Sequence, residues 1–309
     1  MIDPRRPLVV MYHYVWQDKQ NVPGGIRPLM STEFDAQLDF LESRYQIVSA
    51  ESFLDRVGEE SDRPPCLLTF DDGTRDHADV VMPMLARRDL TGVFFIISDA
   101  ARGKLMPTTH LVHWLLGNDD EQIWKSLQAY ASKDPAMLGT AEDAKRIYHY
   151  ESQTRGRIKY ALNMSMTPKR ARQFALSMLE RSGVTEKQLA RDWFAQRDQL
   201  EAMHRAGMTL AAHGRTHTSL QQLGPAIAEE IDDCSDLLTE ITGKPPTWWA
   251  CPFGGSGAST EDHATMQNAM RKVGIRGAVS TASSSVLAGC DVMSIPRVDC
   301  ILLPPRGAQ

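Results

Sequence analysis

The chain has 309 residues, 42% of them hydrophobic, and a formal net charge of −5. That length admits a large single domain with a substantial core, and α/β barrels commonly run near this size. The acidic balance gives no support for nucleic-acid binding. The one dense basic stretch, Lys169-Arg170-Ala171-Arg172, reads as the solvated face of a helix.

The first apolar run, residues 8–11, is too short for a signal-peptide core or for a membrane span of about 20 residues. It opens a strand expected over 8–14 that ends in Met11-Tyr12-His13-Tyr14. A Gly/Pro-rich loop follows at 22–28. Ser31 then caps a helix with Phe34, Leu38, Leu41 and Tyr45 on one face. A short strand is expected at 47–48, a helix at 50–57, and a buried strand at 65–70 that ends on Asp71 and Asp72. A helix over 80–88 and a strand over 92–97 complete the first half.

From Ser98 to Gly207 the strand pattern stops and helical periodicity takes over. The stretch is far too long for an ordinary loop. Residues 98–207 therefore read as an α-helical insertion or lid within one domain spanning 1–309. The alternation resumes with a strand at 208–212, a helix at 225–242, a strand at 247–251 and a last strand at 292–298. Strands alternating with helices argue for a largely parallel sheet. The five cysteines have irregular spacing and form no CxxC pair. Reduced thiols in a cytoplasmic protein are the simplest account.

Two clusters carry the chemistry. Thr69-Phe70-Asp71-Asp72-Gly73 sets two carboxylates at a strand end, and His213-Gly214-Arg215-Thr216-His217 sets two imidazoles just after another apolar run. An Asp and two His at strand ends form a ligand set suited to a divalent cation with an open coordination position. Adjacent strand residues face opposite ways, so the chain must turn for both Asp to serve one site. Gly73 permits that turn through positive φ. Spacing alone does not say which Asp does what.

These pieces, in this order, resemble the NodB-type polysaccharide deacetylases (carbohydrate esterase family 4), over roughly residues 8–98 and 207–300. Thr69-Phe70-Asp71-Asp72-Gly73 matches the first family motif intact. His213 and His217 match the second, with Gly214 where the family has Ser or Thr. Ala250-Cys251-Pro252-Phe253-Gly254 matches the third, but Ala250 replaces its arginine. The resemblance implies a distorted (β/α)7 barrel, a TIM-like architecture with chemistry at the strand C-termini. It assigns Asp72, His213 and His217 to the metal and Asp71 to the general base. The ion expected is zinc, with cobalt, nickel or iron as alternatives. The oxyanion would be held by the ion and by a backbone N–H near Thr74.

Two family roles lack their usual residues. Arg297, placed near the end of the last strand, is the candidate to replace the missing arginine, with Asp299 tuning it; an ordinary surface ion pair is the alternative. For the general acid, no His follows His263, which leaves His13, His77, His110 and His113, and a lone histidine is more often structural. Pro252, Phe253, Gly254, Trp249 and His113 are the substrate-contact candidates. One of Trp248 and Trp249 is expected in the core by strand alternation.

The expected activity is metal-dependent hydrolysis of an N-acetyl group from an amino sugar, in a surface-glycan precursor or a polysaccharide. Hydrolysis of another C–N bond (ureide or cyclic imide) and a non-catalytic glycan-binding barrel are the alternatives. A carbohydrate or sugar conjugate is the expected partner, with no nucleic acid and no transmembrane segment.

Overall fold

The computed structural model describes residues 3–17, 25–255 and 257–307. Of the expected Gly/Pro-rich loop, residues 22–24 lie outside the described residues. The chain divides into two compact units. One comprises Met1–Lys19, Pro28–Gly103 and Arg191–Gln309, the other Gln20–Arg27 and Lys104–Ala190. The helical unit is thus narrower than 98–207, because Ser98–Ala101 and Arg197–Arg205 are helices of the first unit. Among the described residues, no helix is long and apolar enough to cross a membrane.

Among the described residues, the first unit has ten strands: β1 (Leu8–Tyr12), β2 (Val15–Trp16), β3 (Leu29–Met30), β4 (Gln46–Ile47), β5 (Pro65–Phe70), β6 (Val93–Ile96), β7 (Thr209–Ala212), β8 (Trp248–Ala250), β9 (Gly277–Val279) and β10 (Val298–Asp299). The main sheet runs β10-β1-β5-β6-β7-β8-β9, with β4 beside β5, and every pairing in it is parallel. This curled seven-stranded path, wrapped by helices, is the distorted (β/α)7 barrel expected. β2 and β3 form a separate parallel pair.

Both faces of the main strands are buried, as parallel sheets require. Alternate residues split between two clusters. Val9, Leu67, Val93, Phe95, Ala211, Trp248 and Val279 line the concave face. Val10, Leu68, Phe94, Leu210 and Trp249 pack on the opposite face against helices through Phe34, Leu38, Ile231 and Leu238. Each of the larger aliphatic and phenylalanine side chains contributes about 1.5–3 kcal/mol by leaving water. The same alternation continues beyond β5: Phe70 joins the helix-covered cluster, whereas Thr69 and Asp71 follow Leu67 onto the concave side.

Several boundaries differ from expectation for local reasons. The helix Ser31–Arg44 is capped by Met30, not Ser31, and the Glu33 carboxylate accepts the Met30 N–H at 2.7 Å. The expected strand 292–298 is divided: Ile295 bridges to Val279 at one edge, and only Val298–Asp299 pairs with β1 at the other. The segment thus spans from one end of the sheet path to the other. The helix Thr260–Val273 and β9 were not expected at all.

The helical unit has its own core of Val112, Leu115, Ile123, Leu127, Ile158 and Phe174. Its helices Asp120–Tyr130, Ala141–Ile147, Gln153–Tyr160 and Pro168–Ser182 start on side-chain caps, from Asp119, Thr140, Ser152 and Thr167 respectively.

Candidate active site

Asp71 still belongs to the sheet, since its N–H donates to the Tyr12 carbonyl at 2.9 Å. The turn falls on the next residue. Asp72 itself takes φ +79° and Gly73 φ +66°, so the expected reversal begins one residue before the glycine. Left-handed backbone at a non-glycine is strained, and such strain clusters at functional sites. His217 and Phe253 share it, each at φ +58°. The result is that Asp71 and Asp72, neighbours in sequence, both point into one site.

His213 leaves β7 with its N–H still bonded to the Ile96 carbonyl at 3.0 Å. Its Nδ1 donates to the Ala250 carbonyl at 2.7 Å, which fixes the ring and leaves Nε2 for Asp72. Nε2 of His213 lies 3.4 Å, and Nε2 of His217 3.2 Å, from the same Asp72 Oδ1. Ligand atoms of all three residues lie within 4.8 Å of one another. Two imidazoles and a carboxylate, mutually close, with Asp72 and His213 buried and His217 partly so, fit a zinc-like divalent cation. Burial alone would pull the His213 pKa down, but its hydrogen bond to Asp72 and the charges of Asp71 and Asp72 leave it raised. A proton therefore competes with a cation for that nitrogen.

Arg297 forms a two-pronged pair with Asp71, at 2.6 Å to Oδ1 and 2.8 Å to Oδ2. It is 3% exposed, so this is no surface ion pair. Nε also donates to the Ser280 carbonyl at 3.1 Å, and the guanidinium lies 5.7 Å from the Phe95 ring centre. Arg297 stands just before β10, not near the end of a strand as expected, and its length carries the charge up to Asp71. Burial pushes the Asp71 pKa up, but Arg297, with help from His213 and His13, holds it below the usual carboxylate range. Asp299 does not tune this pair: its carboxylate caps the turn Cys300–Leu302 by accepting the Ile301 N–H.

His13 is at the rim of the site, its Nε2 4.0 Å from Asp71 Oδ2 and its side chain 44% exposed. His77 is not a second acid candidate. It is buried against the stacked rings of Phe70 and Phe94, and its Nε2 donates to the His13 carbonyl at 2.6 Å. Asp76 beside it accepts the Val15 N–H at 2.6 Å, so the two tie down the backbone on which His13 sits. Thr74 is buried and bridges antiparallel to Phe194.

Phe253 is 52% exposed with its ring 4.9 Å from that of His217, well placed to touch whatever enters. Pro252 is buried beneath it, and Gly254, at φ +70°, leaves no room for a β-carbon, which would sit 2.3 Å from Thr281 Oγ1. The Trp249 expectation is corrected. The side chain is 1% exposed and packs among helices, so it cannot stack on a sugar; Trp248 is buried on the opposite face. A sheet covered on both sides has no wet face at β8. Burial pushes the Cys251 thiol up to about 12, which makes it unreactive. His113 belongs to the helical unit, where its ring meets His110 at 5.8 Å.

One buried group was missed entirely. Glu230, on the helix Ile227–Thr242, accepts the N–H groups of Arg215 and Thr216, both at 2.8 Å, and the Thr216 hydroxyl at 2.9 Å. In the sequence it is one of several acidic residues within the helix expected at 225–242.

Residues 169–278 match the family model described as polysaccharide deacetylase, a stretch that holds His213, His217 and Phe253. Over that stretch the chain is similar to polysaccharide deacetylases. Solved structures agree in fold. PplD, a deacetylase of Streptococcus pyogenes in complex with acetate, is 16% identical with a TM-score of 0.58, over 98% of this chain and 95% of that one. IcaB from Ammonifex degensii is 15% identical with a TM-score of 0.57, over 96% and 92%. The BpsB deacetylase domain from Bordetella bronchiseptica is 15% identical with a TM-score of 0.53, over 96% of each chain. No curated protein matches the sequence.

Proposed function

We propose that the protein is a metal-dependent hydrolase that removes N-acetyl groups from an amino sugar, in a surface-glycan precursor or a polysaccharide. The observation that carries this reading is the buried Arg297–Asp71 pair standing directly beside the Asp72–His213–His217 cluster. Asp72, His213 and His217 would hold the ion. A divalent cation there supplies Lewis acidity and a lowered pKa for water, from 15.7 to about 7.

The chain's own groups do the rest. Asp71, kept ionised by Arg297, takes the proton of the water that adds to the acetyl carbonyl. Cleavage of the C–N bond then needs a proton on the leaving nitrogen. His13 supplies it, half-exposed at the rim and 4.0 Å from Asp71. Acetate and a free amine leave, and the acetate bound to PplD is in keeping with that product. Phe253, Pro252 and Gly254 form the substrate wall. A cytoplasmic setting suits the five unpaired thiols.

The test is acetate release by purified protein loaded with zinc or cobalt, across N-acetylhexosamine conjugates, ureides and cyclic imides. Asp71→Asn should bind metal and fail to turn over; full activity in that variant removes Asp71 as the base. Tight metal and glycan binding without hydrolysis of any substrate would make the domain a binding module.

A further inference from the structure

We infer that Glu230 is the positioning residue that sets the shape of the His213–His217 loop, filling the place of the side chain that Gly214 lacks. The inference rests on the metal-site reading above. The two histidines must aim Nε2 at one point, although the backbone between them is irregular. Gly214 lies at φ +82° and His217 at φ +58°; the Gly214 and Arg215 carbonyls accept the Ser98 and Asp99 N–H groups, but the Arg215 and Thr216 N–H groups point to no neighbouring strand. Backbone of that kind persists only where its surroundings over-determine it.

Glu230 holds the donor side of that backbone. Its Oε2 accepts two successive peptide N–H groups, from Arg215 and Thr216, and its Oε1 accepts the Thr216 hydroxyl. Paired successive N–H groups form an anion-binding concavity, and here the anion is built into the fold. The carboxylate is 2% exposed and would be costly to bury without these donors. It sits on the helix Ile227–Thr242, anchored one turn later by Cys234, whose thiol donates to the Ile96 carbonyl at 3.2 Å. That carbonyl also accepts the His213 N–H, so one helix braces the loop at its root and along its length.

Gly214 and Glu230 are matched. A β-carbon at position 214 would stand 3.2 Å from Glu230 Oε2 and would also require a left-handed residue. The carboxylate oxygen therefore stands close beside a residue where any side chain would be strained.

The experiment measures zinc affinity of the full chain by competition with a chromogenic chelator, and the electronic spectrum of the cobalt form. Glu230→Ala should weaken zinc binding about 10- to 100-fold, the usual effect of losing an outer-shell partner, and change the cobalt spectrum. Glu230→Gln keeps an oxygen for both N–H groups and should recover most of the affinity. Native affinity and spectrum in a folded Glu230→Ala overturn the role. Should that variant not fold, Glu230→Asp decides: its shorter carboxylate withdraws from the loop, so weakened zinc supports the role and native zinc affinity overturns it. If the native chain binds no cation, the metal reading falls and takes this inference with it.

Discussion

Arg297 and Asp71, 226 residues apart in the chain, meet in a buried two-pronged ion pair. Removing the cation strands a buried carboxylate. Arg297→Met should cost about 3–5 kcal/mol of stability, the penalty for breaking such a pair from one side.

The same variant has a pH signature. With Arg297 present, Asp71 ionises below the ordinary carboxylate range. The pair's stability is therefore present above the unfolded carboxylate pKa and is lost as pH falls through the depressed folded value. Without Arg297, burial raises the Asp71 pKa, so the acid limb of kcat/KM should move to higher pH and the plateau should fall on the order of 100-fold. An unmoved acid limb in Arg297→Met means that the titrating group is not Asp71. Arg297→Lys keeps the charge but not the fork, and should lie between.

Dialysis against a chelator should abolish acetate release, with zinc or cobalt restoring it. The melting temperature should fall in parallel, because a ligand held by the native state at 100 times its Kd adds about 2.7 kcal/mol. Undiminished turnover with metal content far below one per chain would remove the ion from the reaction.

The Asp72–His213–His217 cluster was legible because its residue types and order are chemically demanding, and the barrel because apolar runs alternate with helical stretches. Trp249 was misread because two adjacent tryptophans on a strand invite an in-and-out pattern, whereas this sheet is covered on both faces. β9 was invisible: Gly277-Ala278-Val279 has no β-branched run, and its strand character comes from β8 and Ile295 on either side. The helix Thr260–Val273 buries only Ala269 and Met270, too few for an apolar stripe. Glu230 could not be found at all, since its role depends on contacts with a loop in another element. Arg297 was nominated only to fill a gap; a lone arginine before a two-residue strand carries no local signal of burial.

Gly73 offers a test of the turn. A β-carbon there would lie 2.9 Å from Ile96 Cδ1 and 3.3 Å from Ile96 Cα, at φ +66°. Gly73→Ala should cost about 2–4 kcal/mol, from left-handed strain plus overpacking. Gly183→Ala is the control: its φ is +76° with nothing within 4 Å, so only the strain of about 1–2 kcal/mol applies. Denaturant midpoints of the two should differ clearly; equal losses would mean that the Ile96 contact relaxes freely.

Phe253 separates stability from function. It holds a bulky side chain at φ +58° while half its surface stays in water, an arrangement that folding alone gives no reason to keep. Glycine at this position relieves about 1–2 kcal/mol of left-handed strain and gives up little buried area. Phe253→Gly should therefore match or exceed the parent in thermal stability. Its KM should rise severalfold, because the ring beside His217 no longer meets the sugar, while kcat changes less. Phe253→Ala retains the strain and should show the same KM defect without the gain in stability. An unchanged KM in both variants would remove Phe253 from the substrate wall.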